Sequence, residues 1–510
     1  MSLFRYSELD RWDSYFAECL GSADPLLVGQ TVNRVDEEEG WLPVRVTLGI
    51  DLACRAPHVA SLADDQGRLV WTGRTFQSRV RDLEALWADL GCDPGELTVV
   101  MEPTRNAWAP VAAWFKSRGV KVVLVPTTQS ADLRAYYSKH TKNDRLDSAL
   151  LARLPLLHPE GLRPHTGDGP ADPLRRATKQ RSSVVKRRAA VFARIDALLE
   201  LLGPGWYEEL GTEYGNASLH LLARYGDPRT LLRLGRARLG QFLIRYSHGQ
   251  WRHDKAEHLL AVAHESIALW DGAGMDFAQL GADLAVEAEQ ALVFTAQIRG
   301  LDERIAGLYR QADPLQIART APGVGPVLAA AITARLGDPH RFTSLAAIRS
   351  YSGLVPKVTQ SGQTGQSEHR GGITKAGDTL LRQSLWMAAD MARRADPQLA
   401  AHYVRLMNAG RHHDTAICHV ATTLLTRIAA CLRAGQPYVI RDVDGTAITE
   451  ADGRRIVKEH HQVDPAVRAK NASRRNPQRL KHRTSRVPQK SLSASTSRPV
   501  TTHPTSRPAA

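Results

Sequence analysis

Cysteine is scarce in this chain. The 510 residues hold five, at Cys19, Cys54, Cys92, Cys418 and Cys431, and no two stand in a CxxC spacing. That pattern excludes a zinc ribbon and a disulfide framework, and reads as reduced, mostly buried small residues. Long hydrophobic runs are also missing. No apolar stretch approaches the ~20 residues that cross a bilayer, so no membrane partner is expected. The first residues, MSLFRYSELDRWDSYF, carry acids early and lack an apolar signal core, which points to a cytoplasmic location. Acids are absent from the last stretch: Ala466 to Ala510 holds eleven Lys/Arg and no Asp or Glu. That stretch supplies +11 of the net +14, so the remaining residues carry only about +3. A polyanionic partner is therefore implied by the tail, and the body alone does not demand one. The composition, 43% hydrophobic and 24% charged, is globular, and the length calls for two or three domains.

Residues 1–43 read as a leader with one short amphipathic helix. From residue 44 to 160 the pattern is that of an α/β domain. VRVTLGIDLACR and HVASLADDQGRLVWTGRTF give three strand-like runs with a turn at DDQG. Helical spacing, the strand LTVVMEP, the helix RNAWAPVAAWFKSRG and the strand VKVVLVP follow, so a mixed sheet with helices is expected. KHTKNDRLDSALLARL, over 139–154, has helical spacing. Residues 161–313 read as a helical connector after a Pro/Gly-rich linker. It holds a long basic helix, 174–202, and a near-heptad helix, 276–312, suited to a coiled coil. Residues 314–435 read as a third, mainly helical domain, and 436–510 as a basic, largely disordered tail.

Four carboxylates carry the first chemical argument. Asp51 sits inside the apolar strand IDLA, where an unpartnered acid is costly. Glu102 ends the strand TVVME, and open α/β sheets place their sites at such strand ends. Asp144 and Asp147 are three apart on the predicted helix and can share a face. Clustered carboxylates repel unless cations neutralise them. Hard divalent ions such as Mg²⁺ prefer oxygen ligands, and paired ions promote phosphoryl transfer. The alternative reading makes Asp51 a turn former, Glu102 a loop acid, Asp144 a helix cap and Asp147 a partner of Lys142 or Arg145.

The third unit adds two features. APGVGPVLAAAITARLGD reads as a helix–hairpin–helix element, in which Gly323 and Gly325 allow backbone N–H groups to face a phosphate. A glycine turn between packed helices is the competing reading. Ser361 lies in the polar loop TQSGQTGQ, with Arg370, Lys375 and Arg382 nearby, cations suited to a phosphoryl transition state. Arg187 and Arg188 on the basic helix are candidate nucleic-acid contacts, against the alternative of a solvated helix face.

These pieces together carry a resemblance. GIDLA, VVMEPT, KNDRLDSALLA, PGVGPVLAAAITARLGDPHRFTS, SYSGLVPKVTQSG and RGGITKAGDTLLRQSLWMAA resemble, in order, the DEDD-type transposases of the insertion sequence 110 family. They span roughly 44–160 and 314–395. The resemblance implies a RuvC-like (ribonuclease-H-like) domain holding Mg²⁺ at Asp51, Glu102, Asp144 and Asp147. It implies a C-terminal domain whose serine attacks DNA; motif matching puts that serine at Ser361, with Ser352 and Ser367 as rivals. It further implies dimers assembling to a synaptic tetramer, donor and target double-stranded DNA, and a structured noncoding guide RNA. Asn143 and Ser148 depart from the family pattern, which has Thr and Ala there, and the leader and tail make the chain longer.

The expectation is thus a nucleoid-associated transposase that excises and inserts a mobile element by metal-dependent, serine-mediated strand cleavage and rejoining. A junction-resolving nuclease using metal-activated water, and a non-catalytic nucleic-acid binder, are the alternatives.

Overall fold

The computed structural model describes residues 46–137, 143–157, 172–211, 213–359 and 369–473, with isolated positions between 159 and 167. The predicted leader therefore lies outside the described residues.

The N-terminal part is a five-stranded mixed sheet. The strands are β1 (Val46–Asp51), β2 (His58–Asp64) and β3 (Leu69–Phe76), then helix α1 (Val80–Ala88), β4 (Leu97–Met101), α2 (Trp108–Lys116) and β5 (Lys121–Leu124). Helices α3 (Thr127–Tyr137) and α4 (Asp144–Leu157) follow. The strand order is β3-β2-β1-β4-β5. The first three strands form the antiparallel meander read from the sequence, while β4 and β5 run parallel to β1.

Strand pleating divides the side chains between two layers. Leu48, Ile50, Val99 and Met101 face one core with Leu83, Leu86, Val111 and Phe115 of α1 and α2. Val100 and Val123 face the other, with Leu151 and Leu154 of α4. Gly49 lies under α4: a Cβ there would stand 2.2 Å from both Ala152 N and Ser148 O. Only glycine lets this helix approach so closely. The Ser61 and Ser148 hydroxyls, 2.8 Å apart, pin the same crossing.

The remainder is mostly helical. The long α5 (Pro173–Leu199) is followed by α6 (Gly205–Leu210), α7 (Asn216–Tyr225), α8 (Pro228–Tyr246), α9 (His253–Leu269) and the 36-residue α10 (Phe277–Ala312). Helices α5 and α10 pack along each other as the heptad pattern predicted, and one core joins them to α6–α9 through Val191, Ile195, Trp206, Leu222 and Leu284. Next come α11 (Pro326–Leu336), α12 (Leu345–Ser352), the hairpin β6 (Pro356–Thr359) and β7 (His369–Ile373), α13 (Thr379–Ala392), α14 (Pro397–Asn408), α15 (His413–Ala434), α16 (Glu450–His460) and α17 (Pro465–Ser473). Helix α15 alone among the described residues is long and apolar enough to cross a membrane, and Ile417, Val420, Leu424 and Ile428 bury it in the C-terminal core.

Residues 436–473 correct the expected tail. Tyr438, Ile440 and Val463 are buried in the C-terminal core, and α16 and α17 pack on α14. The apolar residues Tyr438, Ile440, Val457 and Val463 are spaced too sparsely to announce themselves, yet each finds a surface to cover. Thr449 caps α16 by accepting from Asp452 N at 3.1 Å. The residues from 474 onward lie outside the described part.

Candidate active site

The sheet register brings the first two acids together. Ile50 of β1 pairs with Met101 of β4, so Asp51 and Glu102 are the next positions along two adjacent parallel strands. Neighbouring strands lie about 5 Å apart. Both acids alternate onto the layer that holds Gly49 and Val100, which is the α4 side.

The direction of α4 brings the other two acids to the same end. Arg153, in its C-terminal half, donates from Nε to Gly67 O at 3.0 Å, and Gly67 lies in the β2–β3 turn beside the start of β1. Arg145, near its N-terminus, donates to Thr72 Oγ1 at 2.7 Å. Helix α4 therefore runs antiparallel to β1, and its first turn, with Asp144 and Asp147, sits toward the end of β1 that carries Asp51.

The individual partners differ from the simple alternatives. The helix cap is Asn143, whose Oδ1 accepts from Leu146 N at 2.7 Å, and Asp144 is exposed. Asp147 pairs with Arg134 of α3, which reaches its two oxygens at 3.1 and 3.3 Å. Glu102 accepts from Ser130 Oγ at 2.6 Å. Ser130 and Arg134 were not singled out from the sequence. They are four apart on a helix that directly follows β5, so they share a face. That spacing after an apolar strand was the available signal. The family departures Asn143 and Ser148 serve as the α4 cap and as the buried partner of Ser61.

Among the described residues no three His, Cys, Asp or Glu side chains form a ready-made ion cluster. The donor chemistry nevertheless fits a hard divalent cation: four carboxylates assigned to one end of one layer, with oxygen ligands only. Asp147 would exchange the Arg134 guanidinium for the ion.

In the C-terminal part, Ser361 and Ser367 lie outside the described residues, as does the side chain of Arg370. Ser352 is fully buried. Its hydroxyl donates to Arg349 O at 2.7 Å and accepts from Leu354 N at 3.2 Å. It has no access to a substrate. The hairpin flanking Ser361 is anchored: Thr359 pairs with His369, and Thr374 N donates to Val355 O at 2.8 Å. Gly377 lies so close to the α12 end that a Cβ would meet Tyr351 O at 2.1 Å. Arg382 is spent on this junction, donating to Ser352 O at 3.1 Å, whereas Lys375 is exposed with φ at 57°.

The two glycines of the proposed phosphate turn behave differently. Gly323, at φ 73°, abuts α13, where a Cβ would lie 2.5 Å from Ala388 O. Its smallness serves helix packing. Gly325 precedes α11 and faces open space. On α5, Arg175 bonds Ala334 O and Arg335 O, Arg181 pairs with Asp302, and Arg194 pairs with Glu287. Arg187 and Arg188 lie over the rings of Phe294 and Phe192. Arg187 stays exposed.

Known proteins match this sequence over most of its length. The DEDD transposase family model of IS110 matches residues 48–204, and that of the IS116/IS110/IS902 transposase family matches residues 315–404. An uncharacterized 43.6 kDa protein of insertion element IS110 from Streptomyces coelicolor is 26% identical over 404 residues, covering 78% of this chain and 96% of its own length. An uncharacterized 42 kDa protein of IS900 from Mycobacterium paratuberculosis is 25% identical over 402 residues, covering 77% and 97%. The mini-circle putative transposase for IS117 of Streptomyces coelicolor is 24% identical over 405 residues, covering 77% and 95%. A mixed sheet with acids at its strand ends, joined to a helical C-terminal part matched by a second transposase model, defines an enzyme of DNA transposition and recombination. The chain belongs to the IS110 family of insertion-sequence transposases.

Proposed function

We propose that the chain moves its element by metal-dependent, serine-mediated cleavage and rejoining of DNA strands. The N-terminal sheet acts as a RuvC-like domain, with Asp51, Glu102, Asp144 and Asp147 as ligands of Mg²⁺. The observation that carries this reading is the register that sets Asp51 beside Glu102 on the layer where the α4 N-terminus also lies.

A bound divalent cation would neutralise the acids and polarise the scissile phosphate. The chain's own residues do the rest. Glu102 is oriented by the Ser130 hydroxyl, and Arg134 holds Asp147 when no ion does. The Ser361 hydroxyl gives up its proton and its Oγ bonds to phosphorus as the P–O bond to the leaving strand breaks. A leaving hydroxyl accepts a proton. Attack by a second strand's hydroxyl reverses these steps and frees the serine, so the number of phosphodiester bonds is unchanged and no outside energy source is needed. Exposed Lys375 and the flanking Arg370 provide charge for the phosphate, and the anchored hairpin ends hold the Ser361 segment.

The reading extends to two domains of different subunits completing one centre within a dimer or tetramer, and to a noncoding guide RNA that pairs with donor and target. The domain limits 44–160, 161–313 and 314–435 belong to the same proposal, with the third extended to 473.

The test uses plasmid DNA carrying the element ends, the flanking noncoding RNA and Mg²⁺. Wild type is expected to give joined product and an SDS-resistant protein–DNA adduct. Ser361→Ala abolishes both, and Asp51→Asn lowers both by at least ~10²-fold. Cleavage that persists in Ser361→Ala without an adduct replaces this mechanism with attack by water.

A further inference from the structure

A cavity of about 290 Å³ opens between α13, α14, α15 and α17, within the C-terminal helical part. Asp390, Arg393, Arg394 and Arg468 line it, together with His412 and His413. Asp390 is the sole carboxylate among these lining residues. Three guanidiniums to one carboxylate leave a net positive charge in a concave, partly dry site, where opposite charge is attracted most strongly.

The arginines are held in place rather than cancelled. Arg393 donates from Nε and Nη2 to one Asp390 oxygen, at 3.0 and 2.6 Å. Arg394 donates from Nε to Asp390 O and from Nη2 to the other carboxylate oxygen, at 3.2 and 3.0 Å. Each spends one edge on Asp390 and keeps its Nη1 donors. Arg393 also lies over the Tyr403 ring, 4.3 Å away. Arg468 comes from the other side of the cavity and has no side-chain hydrogen bond or ion pair among the described residues. A guanidinium carries five donors in a fork that suits phosphate oxygens. The wall that bears Arg468 is fixed by buried Asn471, one turn further along α17, which donates to Met407 O at 2.7 Å. Burial and Arg393 lower the pKa of His413, so its ring is a neutral partner of the Tyr403 hydroxyl at 2.8 Å.

We infer that this cavity binds a backbone phosphate of a nucleic acid strand. The sequence supplies the reason for a strand rather than a small anion: α17 leads directly into residues 474–510, which contain nine Lys/Arg and no acid. Arg468 stands six residues before that stretch in the chain, whose charge attracts a polyanion. The site shares no residue with the four acids or with Ser361, so it stands independently of the strand-transfer mechanism.

The test is binding of a 5′-fluorescein single-stranded 20-mer DNA to the full chain by anisotropy, in EDTA, over a salt series. Arg468→Ala is expected to weaken binding roughly fivefold to tenfold and to reduce the salt slope by about 0.7, one phosphate contact on a single strand. Arg468→Lys should recover most of the affinity. Arg454→Ala, which breaks only an exposed pair with Glu450, is the matched control and should bind as wild type. Equal affinity and slope for Arg468→Ala and wild type would overturn the proposal. So would a thermal shift by inorganic phosphate that depends on Arg468 while strand binding does not, because the cavity would then take a free anion only. Loss of DNA joining with these values intact would count against the strand-transfer mechanism and leave the cavity assignment standing.

Discussion

Arg134 reaches both carboxylate oxygens of Asp147, at 3.1 and 3.3 Å, across the gap between α3 and α4. A cation of the protein thus stands where a divalent ion would compete for the same oxygens. Arg134→Ala is expected to raise affinity for Mn²⁺, a spectroscopic substitute for Mg²⁺, by roughly fivefold, the equivalent of an ion pair of about 1 kcal/mol. Paramagnetic titration of the full chain reads this directly. Weaker Mn²⁺ binding would make Arg134 a support for the acid rather than a competitor.

The seat of α4 on β1 depends on a missing side chain. Gly49→Ala would put a methyl group 2.2 Å from backbone atoms of Ser148 and Ala152, which can yield only by shifting the helix. A loss of about 3 kcal/mol is expected, at the upper end for overpacking. Since the same helix carries Asp144 and Asp147, metal affinity should fall with it. Thermal denaturation and Mn²⁺ titration of one sample check both.

The C-terminal core holds a buried charge network. Arg427 donates to Asp396 at 3.2 Å and to the Tyr438 hydroxyl at 3.0 Å, and Tyr438 donates to Asp396 at 2.7 Å. Removing one member leaves a charge without its partner. Arg427→Met should cost about 3–5 kcal/mol, and Tyr438→Phe only about 1–2 kcal/mol. Urea denaturation distinguishes them; similar losses would show that the charge is not the costly element.

Stability should fall in mild acid. Burial and the nearby Arg405, His419 and Arg427 push His402 down to about 3, well below its ordinary 6.5. The unfolded chain then binds the extra proton first. The contribution is fully present above pH 6.5 and is lost as pH falls from 6.5 toward 3, at up to about 1.4 kcal/mol per pH unit. His419 and His413 are lowered too and act with the same sign. His402→Gln should flatten the pH dependence of unfolding free energy between pH 7 and 5. An unchanged slope would remove His402 as its source.

Ser352 is the rival serine that the fold itself disfavours. Ser352→Ala should leave strand joining and any covalent adduct intact, while costing about 1 kcal/mol through the lost bonds to Arg349 O and Leu354 N. Loss of the adduct with an intact fold would mean that the α12 end opens during the reaction.

The candidate acids stand out in the sequence because each breaks a strong local pattern. Asp51 interrupts an apolar strand, Glu102 closes another, and Asp144 and Asp147 open a helix whose apolar face is plain. Their supports do not. Ser130 and Arg134 are ordinary in the segment TTQSADLRAYY, and nothing local says which way that helix faces. Residues 436–473 are the opposite case. There the sequence reads as a polar tail, but Tyr438, Ile440 and Val463 each bury against helices far away in the chain. At Gly323 both readings stood open in the sequence, and packing against α13 matches the competing one, a glycine turn between helices.

The sequence by itself determined most of the elements and the family. Alternation of period two and apolar stripes of period 3.6 are written in neighbouring residues, as are the acid-bearing motifs. Tertiary structure alone decided that α4 runs antiparallel to β1 over Gly49, that Arg134 takes Asp147, and that α17 brings Arg468 to the wall of a basic cavity. Those outcomes depend on the close packing of backbones and the pairing of charges distant along the chain, and neither has a local sequence signature.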